Sequence, residues 1–132
     1  MTTELYWLSL TMLMTALFWV PYILNRIKVM GMIPALSEMG VEGNKHDVWG
    51  ARCMAAHKNA VENLAIFAPA VLVLHVLGGG TAITASAVMI YFFARLAHYF
   101  VYTFGIPFLR TISFAIGWLA TIAIILTVLG WI

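Results

Sequence analysis

The sequence predicts an all-α integral membrane protein, a four-helix up-and-down bundle built as one domain over residues 1–132. Three observations carry this. Of 132 residues, 64% are hydrophobic and only 9% are charged, too few charges to cover a soluble core of this size. Four apolar segments are each long enough to cross a hydrocarbon layer of about 30 Å. The breaks between them carry glycine, proline or a cluster of charge.

The first segment, residues 5–24, holds no ionisable side chain other than Tyr6 and Tyr22. The leading "MTTE" carries an acid and no Lys or Arg, and no small-residue cleavage site precedes Pro21. The segment is therefore expected to stay as a membrane helix and not act as a cleaved signal. Residues 25–50 follow as a polar, glycine-containing connection with Arg26, Lys28 and Lys45. The second segment, 51–77, has a polar first third and ends at Gly78, Gly79 and Gly80. The third, 81–103, ends at "FGIPF", where Pro107 lacks an amide donor and disfavours helix at Ile106. The fourth, 111–132, is uncharged.

Lys and Arg gather on the first connection and its flanks and at Arg110, beside the third turn. The glycine turn and both termini carry none. By the positive-inside rule both termini face away from the cytoplasm. The net charge of +2 is too small to point to nucleic acid. The single Cys53 excludes an internal disulfide, and no metal-ligand spacing is present.

Depth singles out a polar site. Counting from Gly79, Glu62 lies 17 residues back and Arg95 lies 16 residues forward. At about 1.5 Å per residue both reach roughly 24 Å, inside the hydrocarbon edge on the basic side. A charge there should face the bundle and find a partner, so the pair expected is Glu62 with Arg95. On the helical wheel Arg52, Asn59 and Asn63 share a stripe with Glu62 at its edge; Arg95, His98, Tyr99 and Tyr102 share another. A helix clamp needs one cation. The surplus of Arg52 and Arg110, with Tyr102, points to an anionic ligand. His75, Cys53 and the methionines read as packing residues, and Lys45 and Lys58 as solvated or snorkelling ones.

"RCMAAHKNAVEN" (52–63) resembles the helix-two signature of the MAPEG family, the membrane-associated proteins of eicosanoid and glutathione metabolism, which runs roughly R-x-x-R-A-H-x-N-x-x-E-N. "ARLAHYFVY" (94–102) and "PFLR" (107–110) resemble its helix-three end and following turn. The likeness covers nearly the whole chain and suggests a bacterial-type member similar to the microsomal glutathione transferases. It implies a homotrimer in the bilayer, with glutathione bound between subunits on the cytoplasmic side and no metal. By position it implies Arg26, Arg52, Asn59, Glu62, Arg95 and His98 as glutathione-binding residues, and Arg110 and Tyr102 as the groups beside the thiol. The expected reaction is transfer or peroxide reduction on a hydrophobic small-molecule electrophile. One departure is plain: the signature's second Arg is Ala55 here. The alternatives are a catalytically silent binding or scaffold protein of the same fold and, from a different class, a small transporter.

Overall fold

The computed structural model describes residues 1–38 and 45–132. Those residues form six helices and no strand: α1 Thr3–Leu17, α2 Trp19–Met30, α3 Met32–Ser37, α4 Val48–Val76, α5 Ala82–Thr103 and α6 Pro107–Val128. Four helical stretches are long and apolar enough to cross a membrane: Thr3–Met30, Val48–Val76, Ala82–Thr103 and Pro107–Val128.

The first span is α1 and α2 joined at Phe18. Thr2 caps α1 by accepting the Leu5 amide at 3.2 Å. Pro21 cannot donate a backbone hydrogen bond, and near this break the Phe18 carbonyl accepts from the Tyr99 hydroxyl at 2.9 Å. Helix then continues to Met30, well past residue 24, where the apolar run stops. The first half of the connection expected over 25–50 is therefore helical, formed by the end of α2 and the short α3. Its middle, residues 39–44, lies outside the described residues.

Asn25 ties α2 to the start of α4. Its Nδ2 donates to Asp47 Oδ2 and its Oδ1 accepts the Asp47 amide, both at 2.8 Å. Lys28 donates to the same carboxylate at 2.9 Å. The close approach needs Gly50, because a Cβ there would collide with the Asn25 amide.

The third turn is shorter than the sequence suggests. Pro107 occupies the first helical position of α6, where its missing amide donor costs nothing. The fourth helix thus begins four residues before the expected Thr111, and Arg110 sits in its first turn.

Helices α4 and α5 form the middle of the bundle. Both touch α1 and α6, and no contact joins α1 to α6. One core cluster combines Leu8, Phe67, Val71, Leu74, Val88, Tyr91 and Ile124, with Phe67 stacked on Tyr91 at a ring separation of 3.6 Å. A second surrounds Phe18, Cys53, Ala56 and Tyr99, with Phe18 stacked on Tyr99 at 3.8 Å. Large apolar side chains such as Leu13, Ile66, Phe93 and Ile116 face outward. That pattern suits a bundle solvated by lipid.

Candidate anion site at the arginine end of the bundle

The site begins with the way α5 ends. The Ile106 amide donates to the Val101 carbonyl and the Gly105 amide to the Tyr102 carbonyl, the paired bonds of a Schellman cap. That cap needs a left-handed residue, and Gly105 supplies it at φ +74°. Gly105 also lacks the Cβ that would collide with the Arg52 guanidinium from α4. One glycine therefore closes a helix and admits an arginine. Ile106 is extended and Pro107 starts α6, so Arg110 returns over the end of α5. Its guanidinium carbon lies 5.1 Å from the centre of the Tyr102 ring.

Arg52, Tyr102, Gly105, Ile106, Pro107 and Arg110 line a pocket of about 200 Å³. Two arginine side chains line it, and each guanidinium favours negative charge. The ion pairs among the described residues are Lys28–Asp47 and Lys45–Glu38, so Arg52, Arg95 and Arg110 have no carboxylate partner there.

Deeper in the bundle Arg95 is only 2% exposed. Its Nη2 donates to Asn59 Oδ1, and Asn63 braces Asn59 by donating to its backbone carbonyl at 2.8 Å. The Arg95 guanidinium lies 5.9 Å from the Phe114 ring centre. Among the described residues its Nε has no hydrogen-bond partner, and neither has the nearby Nδ1 of His98.

The expected Glu62–Arg95 pair does not form within this chain. Glu62 is exposed on α4, and the amide of Asn59 takes its place at Arg95. Three residues along a helix turn about 300°, so the two positions diverge by a sixth of a turn, and only one of them faces α5.

The remaining expected residues divide. His98 is buried against Phe114 and Tyr102 at ring separations of 6.2 and 5.5 Å. It shares the α5 face with Arg95 but does not line the pocket. Arg26 turns away from it: Nε donates to the Ala35 carbonyl at 3.1 Å and Nη2 to the Glu38 carbonyl at 3.3 Å, both at the end of α3. Tyr99, expected on the polar face, packs the other way; its hydroxyl lies 2.7 Å from the Cys53 sulfur.

Sequence reasoning overlooked Gly105 as a lining residue, although a glycine two positions before a proline marks a cap followed by a new helix. It also overlooked a second polar group beside α2, where the Tyr22 hydroxyl lies 2.9 Å from His57 Nδ1 and the His46 ring packs edge-on to Tyr22.

A family model, that of the MAPEG family, matches residues 5–130. No curated protein and no solved structure matches the chain.

Proposed function

Since the chain belongs to the MAPEG family, we propose that it is a glutathione-dependent membrane enzyme that joins the thiol to, or reduces, hydrophobic electrophiles drawn from the bilayer. The observation that carries this reading is the pocket between Arg52 and Arg110, in which two arginines without carboxylate partners among the described residues flank Tyr102.

Glutathione has two carboxylates, and a guanidinium matches each bidentately. Arg52 is exposed at the mouth and takes one of them. Arg95, with Asn59 beside it, supplies a second cation deeper in, and His98 offers a further polar atom on the same face. The pocket of about 200 Å³ falls below the roughly 300–1,000 Å³ usual for a small-molecule site. One copy therefore holds one end of the ligand, and a neighbouring copy in a homotrimer completes the site. Glu62, exposed on α4, and Arg26 are the residues assigned to that shared wall, Glu62 to hold the glutathione α-amino group.

The reacting group is the thiol, whose ordinary pKa is about 8.5. A neighbouring cation stabilises thiolate. Arg110 provides one, held against the Tyr102 ring, and the Tyr102 hydroxyl adds a hydrogen bond. Thiolate attack on the electrophile forms the carbon–sulfur bond, and the electrophile's leaving group or added electron pair takes up a proton. With a hydroperoxide the thiolate attacks oxygen instead, the O–O bond breaks to release an alcohol, and a second glutathione converts the sulfenic product to disulfide and water.

Ala55 supports a second reading, a catalytically silent binding protein of the same fold, because the family signature places an Arg there. A thermal-shift titration with glutathione followed by a conjugation assay separates them. A ligand bound only by the folded state raises the melting temperature with concentration. A rise with turnover supports the enzyme, and a rise without turnover supports the silent protein. No rise at millimolar glutathione removes the glutathione reading.

A further inference from the structure

A carboxylate is buried at the opposite end of the bundle from the arginines. Glu4, in the first turn of α1, is only 7% exposed. Its Oε1 accepts from the Thr84 hydroxyl at 2.7 Å. Among the described residues no Lys, Arg or His nitrogen lies within ion-pair distance of it. All seven Lys and Arg residues fall between positions 26 and 110 on the other side of the bundle.

Helix capping accounts for part of this. The amino ends of α1 and α5 both favour an anion nearby. Each already has its own cap, however. Thr2 accepts the Leu5 amide, and Thr81 and Thr84 form a reciprocal capping box. Glu4 is surplus to both, and capping gives no reason for an open space beside it. That space is a cleft of about 560 Å³, lined by Glu4 together with Leu74, His75, Gly80, Thr81 and Ala85 among others. Gly80 keeps the approach clear, since a Cβ there would stand 3.0 Å from Glu4 Oε1.

We propose that this cleft binds an ammonium group, with Glu4 as its anionic acceptor. The cleft lies within the range of small-molecule sites. Its hydroxyls and single carboxylate suit a hydrogen-bonding cation, and Leu74 and Ala85 offer an apolar wall to an attached chain. A metal ion is a poorer match, because no group of three carboxylate, His or Cys ligands exists among the described residues. The ammonium group can arrive on a phospholipid headgroup or on a free soluble amine.

The test uses the full-length protein in a neutral detergent. Melting temperature is followed during titration with lysophosphatidylethanolamine, with lysophosphatidylglycerol and with ethanolamine. A rise with either amine compound and none with the anionic lipid is expected. A rise with ethanolamine points to a free amine, whereas a rise confined to the amine lipid points to a headgroup. Glu4→Gln keeps an acceptor for Thr84 and removes the charge, so affinity should fall about tenfold or more. Gly80→Ala, which crowds the carboxylate, should weaken binding if Glu4→Gln does not fold. No response to either amine, an equal response to the anionic lipid, or undiminished binding by the variant that folds overturns the proposal.

Discussion

Arg95 and Asn59 show what a charge inside a membrane bundle requires. Among the described residues the buried guanidinium has a single side-chain acceptor and a neighbouring aromatic ring. A hydrogen bond to a charged group contributes about 1.5–3 kcal/mol, and stranding its donor removes at least that. Asn59→Ala is therefore expected to destabilise the fold by about that amount, measured by unfolding in detergent. Glu62→Gln, at an exposed position, should stay within about 0.5 kcal/mol. An equal loss in both variants would mean that Glu62 supports Arg95 as much as Asn59 does. The pocket residues call for a kinetic test. Arg110 remains charged at any working pH, whereas Tyr102 contributes a hydrogen bond. Arg110→Ala should therefore lower turnover at saturating glutathione more than Tyr102→Phe does, and Arg52→Ala should weaken binding more than turnover. Wild-type turnover in Arg110→Ala would remove its role at the thiol.

At the scale of elements, the four membrane-crossing stretches are legible because a hydrocarbon-spanning helix must be apolar over about 20 residues. Their ends are less so. Hydropathy marks where a chain leaves the membrane, and backbone hydrogen bonding continues beyond that point. Helix α2 therefore carries Arg26 and Lys28 to Met30, although the apolar run stops earlier. Pro107 reads as a break, yet it serves as the first residue of α6. The basic cluster is legible from charge alone, but the partner of Arg95 is not. Asn59 and Glu62 differ by only a sixth of a turn, and the rotation of α4 is set by tertiary packing around Cys53, Ala56 and Ala60. Gly105 offers a direct test of the α5–α6 turn. Gly105→Ala puts a Cβ on a residue at φ +74°, a cost of about 1–2 kcal/mol, and displaces Arg52. Both stability and glutathione affinity should fall; unchanged affinity would separate Arg52 from the ligand.

The α2–α4 junction should respond to acid. The Asp47 carboxyl is held below its usual range first by the hydrogen bond from Lys28 and then by that from Asn25. His46 is held below its usual value of about 6.5 by burial first and by Arg26 second, against a smaller opposing effect of the Tyr22 backbone. A folded pKa below the unfolded one means that the unfolded chain binds more protons as pH falls. The contribution of His46 is thus complete above about pH 6.5 and declines below it, and that of Asp47 declines further on, below about pH 4. Melting temperature measured from pH 7 to 5 should fall in the wild type and fall less steeply in His46→Gln. Identical slopes would show that His46 does not set the response.

On the scale of the whole molecule, charge divides the bundle into two unlike ends. Arg52 and Arg110 converge at one end of α4, α5 and α6; at the other, near α4's last turn, Glu4 has no ion-pair partner among the described residues. Lys28, Lys45 and Lys58 also belong to the basic end, and four helical stretches are long and apolar enough to cross a membrane, an even number that would leave both termini on a common side. Lys and Arg near span ends are retained on the cytoplasmic face. The prediction is that Arg26, Lys45 and Arg110 face the cytoplasm and that both termini face away from it. Cys53 is fully buried, so the native chain gives a quiet background for thiol labelling. A cysteine introduced at Thr2 should react in intact cells with a membrane-impermeant maleimide applied from outside. One introduced at Lys45 should react only after the membrane is opened. Labelling at Lys45 in intact cells, with protection at Thr2, would invert the topology and move the arginine pocket away from the cytoplasmic thiol pool that the proposed reaction draws on.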